Sequence, residues 1–313
     1  KFASNKKTGV DLKDFVPGFI DDCTYKGKLY ALPFMRSTPL LYFNRDMFAE
    51  AGLPDRAPDT WDEFREFCRK MTKGDQQYGA SFTLGTTTAH WYLQGAIYAF
   101  GGEVSDKNFN VKLTSPKAVA AAQLWQDMVF KDKIALAGNV SAGDAQNDLL
   151  NGRAGMAFGS TGSMASIMSR AKFKVGMGFM PGQPKHSVPV GGSVLAMTSS
   201  DKTRQAAAWE LMKFLTSPAS NSLIVVKTGY LPTSKAAAEF PGTVEFFKQY
   251  PERKVAVDQL KYARPQASVM SIAKGTEILR QAVEKLLIGN VPAAQVMKEA
   301  AADLEKEYEE SFK

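Results

Sequence analysis

The run Leu40-Leu41-Tyr42-Phe43 holds no charged or amide side chain to offer to water. A strand with one wet face alternates polar and apolar residues. A continuous apolar run instead belongs to a strand covered on both faces. That feature asks for a sheet packed between layers, and the residues around it fit. Asp46 to Ala51 reads as a short helix that Gly52 stops, with Pro54 beyond. Immediately before the run, between Pro33 and Pro39, lies a polar knot, Arg36-Ser37-Thr38. Three hydrogen-bonding side chains at the entrance of a buried strand need a reason.

The rest of the chain repeats the alternation. Thr60 and Glu63 in "DTWDEFREFCRKM" form a capping box that starts a helix with Phe64, Phe67 and Met71 on one face. Ser115-Pro116 opens another, with Val119, Ala122, Trp125 and Val129 in its stripe. "KTRQAAAWELMKFLTSP" turns Ala208, Leu211, Met212 and Leu215 inward and stops at Pro218. "GTEILRQAVEKLLIGN" and "PAAQVMKEAAADLEKEYEESF" are two more amphipathic helices. Between these run strand-like segments at Ala154 to Phe158, Lys174 to Met180 and Val194 to Met197. Helices alternating with short apolar strands argue for α/β layers. A length of 313 residues exceeds the usual single core, so two α/β lobes joined by brief crossings are expected.

Several function classes fall away. The net charge is +7, but Lys and Arg are scattered among Asp and Glu with no block of like charge. A solvated basic surface explains that better than nucleic-acid binding. No apolar run approaches the roughly 18 residues that span a bilayer, and "KFASNKKTGV" lacks the apolar centre of a signal peptide. The two histidines, His90 and His186, have no metal-binding spacing, and no nucleophile elbow or phosphate loop appears. Glycine-rich "VGMGFMPG" reads as a strand and turn, and Asp62-Glu63 serve a helix start. Cys23 and Cys68 are too few for a disulfide framework, and one bridge between them stays open. No catalytic residue, metal or cofactor is expected.

The segments "GKLYALPF", "STPLLYFNRDMFAEAGL" and "TWDEF" resemble the extracellular solute-binding proteins that feed ABC importers. Within that family the chain is most similar to the glycerol 3-phosphate-binding branch. The likeness continues through "NGRAGMAFGSTGSMASI", "VPVGGSVLAMTSSDKTRQAAAWELMKFLTSP" and "KTGYLPTSKAA", in the family's order. The resemblance implies a two-lobe periplasmic binding-protein fold of type II, with a hinge and an interlobe ligand cleft. On that footing one lobe takes residues 1-36 and 166-217 and the other 37-165 and 218-313. Family members usually carry a further stretch before "GKLYALPF", so the first lobe is expected to lack its first strands.

The resemblance also implies a site. Ser37 matches a ligand-binding serine, and with it come Arg36, Trp91, Ser160, Thr161, Gly191, Gly192, Ser193 and Tyr230. Hydroxyls and glycine-exposed amides suit the oxygens of a polyol or phosphate, while flat aromatics suit its CH faces. Read from the residues alone, Trp91 equally fits a core, Gly191-Gly192 a turn, Tyr230 a packed corner and Ser160 a helix cap. Where the family places a phosphate-pairing arginine, this chain has Thr276, with Lys274 and Arg280 nearby. The expectation is capture of a small polar solute, a glycerol phosphate, glycerophosphodiester or sugar, without catalysis. The partners would be the permease subunits of an importer, with no nucleic acid, for a monomer in the periplasm or lipid-anchored at the outer face of the cytoplasmic membrane. The competing reading is a two-lobed hydrolase acting on a phosphodiester or glycoside.

Overall fold

The computed structural model describes residues 2–5, 7, 9–84, 88–137 and 142–312. Seven strands and ten helices carry the account. In chain order they are α1 (Pro17–Asp21), β1 (Ala31–Ser37), β2 (Pro39–Asn44), α2 (Arg45–Glu50), α3 (Trp61–Met71) and β3 (Tyr78–Phe82). Then come α4 (Ala89–Ala99), α5 (Pro116–Gln126), β4 (Ala135–Ala137), β5 (Ala154–Ser160), α6 (Met164–Arg170), β6 (Val175–Gly178) and β7 (Gly191–Ala196). Last are α7 (Lys202–Leu215), α8 (Pro218–Thr228), α9 (Gly275–Leu287) and α10 (Ala293–Phe312).

The chain divides into two compact units. Unit 1 is Lys1–Thr38, Ser160–Ser166 and Val190–Pro265; unit 2 is Pro39–Gly159, Ile167–Pro189 and Gln266–Lys313. The division differs from the expected one in two short stretches, residues 37–38 and 160–165, which belong to unit 1 and not to the second lobe, and in two long ones. Residues 167–189, expected with the first lobe, belong to unit 2 because β6 pairs antiparallel with β2, Leu41 opposite Gly178. Residues 218–265, expected with the second lobe, belong to unit 1. There the Asn221 side chain on α8 donates to Phe34 O at 3.4 Å and accepts from Thr233 N at 2.9 Å. Thr38 ends the first stretch of unit 1, so the polar knot stands where the chain passes from one unit to the other.

Unit 2 is built on a five-stranded sheet in the order β4-β3-β5-β2-β6. β3 runs parallel to β4 and to β5, and β2 is buried along its whole length, as its unbroken apolar run requires. An aromatic cluster fills this core. Phe82 stacks on Trp125 with ring centroids 4.6 Å apart, Phe64 on Phe158 at 5.5 Å, and Trp61 meets Phe64 edge-on at 5.3 Å. Helix α3 starts as its sequence asks: Thr60 Oγ1 accepts from Glu63 N at 3.1 Å. The reciprocal bond goes elsewhere, since the Glu63 carboxylate accepts from Asp59 N at 2.6 Å and pairs with Arg56. Helix α5 passes into a π turn at Asp127–Lys131, and its buried stripe is Ala118, Ala121, Ala122, Trp125 and Met128. The expected inward Val119 and Val129 are only half-buried.

Unit 1 holds a smaller sheet. β1 and β7 pair antiparallel with Ser37 opposite Gly191, Arg36 opposite Gly192 and Leu32 opposite Leu195, and the register shifts at Ser193. Helix α7 packs here through Trp209 and Met212, which join Leu32, while Phe2, Leu29, Leu195 and Met197 lean on the cluster. Leu211, expected inward, is exposed; the apolar positions of α7 fit two adjacent faces, and Trp209 decides between them. A groove of about 470 Å³ remains open over Leu29, Leu32, Met197, Trp209 and Met212. Cys23 in unit 1 and Cys68 on α3 are both buried and free, so the open disulfide question closes against a bridge.

Candidate functional site

Four segments far apart in sequence are stitched together in unit 1 by main-chain bonds. Ser37 and Arg36 lie against Gly191 and Gly192 on β7. Thr161 N donates to Thr38 O at 3.1 Å, and Leu231 N donates to Arg36 O at 2.8 Å. The structure thus gathers Arg36, Ser37, Ser160, Thr161, Gly191, Gly192, Ser193 and Tyr230, eight of the ten residues marked in the sequence, within one unit.

Glycines make this convergence possible. Gly192 has φ +91°, and a Cβ there would stand 1.9 Å from Met35 O, so the two strands approach more closely than a side chain permits. Gly162 lies flat against the Tyr230 ring, where a Cβ would come within 2.6 Å of Cζ. Gly191 to Ser193 belong to a strand, not a turn, and Gly192 and Ser193 are exposed. Ser160 caps the turn that leads into α6, its hydroxyl accepting from Gly162 N at 3.1 Å. Thr161 is fully buried, and its Oγ1 has no hydrogen-bond partner among the described residues. A buried hydroxyl without a partner is costly, and a bound solute is one way to satisfy it.

The cations near these positions are engaged. Arg36 is buried at 2% exposure, ion-paired with Asp22 and set 5.3 Å over the Phe19 ring. Burial pushes the neighbouring Cys23 thiol up to about 11, against the opposing pull of Arg36. In unit 2, Lys274 pairs with Glu307 at 3.1 Å, and Arg280 bonds both Glu277 and Glu284.

The other two marked residues stand in unit 2. Trp91 on α4 is 5% exposed and packs against Tyr92 at 5.6 Å, and Thr276 lies half-buried in the first turn of α9. Sequence reasoning weighed His90 only as a metal ligand and passed over Gln94, both on α4. All eleven positions of this helix are buried, yet it carries His90 and Gln94 four apart. A polar pair at i,i+4 in an otherwise apolar helix was the available signal. Among the described residues no cluster of His, Cys, Asp and Glu is arranged to hold a metal ion. No helix there is long and apolar enough to cross a membrane.

The chain belongs to the bacterial extracellular solute-binding protein family, whose profile matches residues 2–255. It is 31% identical over 276 residues to the sn-glycerol-3-phosphate-binding periplasmic protein UgpB of Pectobacterium atrosepticum, covering 82% of this chain and 60% of that protein. With UgpB of Escherichia coli it shares 28% over 313 residues, 93% of this chain and 66% of the relative. The chain therefore spans less than two thirds of these relatives' length. Among solved structures, UgpB of Mycobacterium tuberculosis in complex with glycerophosphocholine superposes with a TM-score of 0.89 at 28% identity, covering 97% of this chain and 77% of that one. Maltose-bound MalE3 of T. maritima superposes at 0.82 with 25% identity, covering 95% and 77%. The fold is the type II periplasmic binding-protein fold, as the sequence resemblance implied.

Proposed function

We propose that this protein captures a small polar solute and hands it unchanged to the membrane subunits of an ABC importer. It works as a monomer outside the cytoplasmic membrane, in the periplasm or lipid-anchored, and neither catalyses a reaction nor binds nucleic acid. The observation that carries this reading is the set of hydroxyls and glycine-exposed backbone drawn together in unit 1 around Ser37, Ser160, Thr161, Gly192 and Ser193. Such a face binds oxygens by direction and not by charge. Tyr230 and Trp91 supply the flat surfaces that cover CH groups, and Thr276 supplies a further hydroxyl. Arg36 contributes through its backbone, because its guanidinium is held by Asp22.

The charge state of the site favours one solute class. A phosphate monoester carries nearly two charges and, once dehydrated, needs a cation in bidentate contact. Arg36, Lys274 and Arg280 are each already bonded to carboxylates. A glycerophosphodiester with one negative charge, or a neutral sugar, asks less of the site. The relative with glycerophosphocholine bound supports the diester.

Isothermal titration against glycerophosphocholine, glycerol 3-phosphate and maltose, at two salt concentrations, tests the reading. The diester is expected to bind most tightly with weak salt dependence, and NMR of the released solute is expected to show it intact. Preference for the monoester, lost in Arg36→Ala or Lys274→Ala, would overturn the charge argument. Turnover of any of the three would overturn the assignment as a binder.

A further inference from the structure

Unit 2 contains a second polar group that none of the marked residues explains. Thr83 follows the last residue of β3, and β3 is the middle of three parallel strands, β4-β3-β5. In open α/β sheets the crevice beyond the carboxyl ends of such strands is where ligands bind. Helix α4 follows, and His90 and Gln94 fall four residues apart on it, one above the other on a single face. Thr83, His90 and Gln94 are 4%, 6% and 0% exposed. Among the described residues, Thr83 Oγ1, His90 Nδ1 and Gln94 Nε2 are all buried without a hydrogen-bond partner.

The orientation of Gln94 is fixed by its other end. Its Oε1 accepts from Ala267 N at 2.6 Å and from Tyr98 OH at 2.9 Å, so the amide cannot be flipped without facing a backbone N–H with an N–H. Its Nε2 is therefore an oriented donor lacking an acceptor. Folded proteins leave very few buried polar atoms unpaired. Three within twelve residues, the first of them just past the middle strand of the parallel set, call for a partner beyond the described residues.

We propose that Thr83, His90 and Gln94 form a polyol subsite in unit 2 that takes hydroxyl groups of the solute, of glycerol or sugar type. A hydroxyl donates one bond and accepts two, which matches a fixed N–H donor, a threonine hydroxyl and a ring nitrogen whose role follows its tautomer. Burial draws the His90 pKa down to about 4, so at neutral pH the ring carries no charge and the subsite has no attraction for an anion. One histidine without a carboxylate beside it is also a poor metal site. The subsite deepens the function proposed above and rests on it.

The test uses Thr83→Val, which keeps the shape and removes the hydroxyl, and His90→Leu. Each is titrated with glycerophosphocholine and maltose beside the wild-type protein, and each is unfolded in urea without solute. The expected result is at least tenfold weaker binding of whichever solute the wild type takes. The unfolding midpoint should be unchanged or raised, because an unpaired buried polar group has gone. Affinity within twofold of wild type in both variants would overturn the subsite while leaving the solute-binding reading intact. If the variants fail to fold, the His90 ring nitrogens of wild-type protein labelled with 15N-histidine decide the matter. A shift on saturation supports the subsite, and none overturns it. Failure of the wild type to bind any solute in the panel would sink the functional reading and the subsite with it.

Discussion

Unit 2 fills its interior with its own side chains, whereas unit 1 leaves a groove open over its apolar cluster. The first has five strands and an aromatic cluster built on Trp61, Phe64, Phe82, Trp125 and Phe158. The second has the β1-β7 pair, Trp209, Met212 and an opening of about 470 Å³. Yet unit 1 holds eight of the ten marked site residues. Precision there comes from backbone bonds and close glycine contacts, which need geometry more than apolar mass. Unit 2 gives mass, and the site residues it carries sit within or beside that mass.

If this contrast is sound, the largest effect belongs to the aromatic core. Trp61→Ala should cost about 3–5 kcal/mol in urea unfolding, while Met212→Ala beside the open groove should fall near the lower end for such truncations, about 2 kcal/mol. Equal costs would break the comparison. Next in size is acid sensitivity in unit 2. The folded His90 pKa of about 4 lies below the ordinary 6.5 because burial disfavours the charged ring. The unfolded chain thus binds the extra proton first, and stability should fall as pH drops from 6.5 towards 4, by about 3 kcal/mol in all. His90→Leu should flatten that part of the pH profile; an unchanged slope would place the acid sensitivity elsewhere.

The glycine contacts of unit 1 predict a different kind of damage. Gly162→Ala drives a methyl into the Tyr230 ring, which must move. Solute affinity should drop by about 1–2 kcal/mol in calorimetry, with a smaller change in unfolding midpoint. A fall in stability with affinity intact would show Tyr230 to be a packed corner and no more. The smallest effect is expected at the surface of unit 2. Arg280 holds the Glu277 carboxyl at about 2, below its ordinary value of 4.5, so its contribution is present above pH 4.5 and lost as pH falls towards 2. Glu277 is half-exposed, and solvent screening should limit the cost of Glu277→Gln to about 0.5 kcal/mol.

What the sequence made legible follows the range of the forces involved. The strand at Leu40–Phe43, the start of α3 at Thr60 and the stop at Gly52 are local, decided by neighbours within a turn. The inward face of α7 was misread because Leu211 and Trp209 are both apolar. Only the surface against which α7 packs, Leu32 and Leu195, selects Trp209. The unit boundaries were misplaced for the same reason: Asn221 belongs with Phe34 through a bond that no local pattern announces. The candidate residues in unit 1 were marked through whole motifs, and the backbone bonds that bring their segments together could not be read from any one of them. Gln94 was passed over, and His90 weighed only as a metal ligand, because polar residues in a buried helix become informative as a pair only once their unpaired atoms are seen.

The two free cysteines carry one more consequence. Cys23 and Cys68 are both buried, Cys68 completely, and burial raises both thiols so that they stay protonated at neutral pH, Cys68 more firmly still. Thiol-reactive dyes attack thiolates, so both native positions should stay unlabelled in the folded protein. Val194, 40% exposed beside Ser193, is a ready place for a single new cysteine. A fluorophore attached at Val194→Cys would then be the only one on the chain, and under the function proposed above its emission is expected to change when solute is added. The chain could thus serve as the body of an optical sensor without removal of either native cysteine.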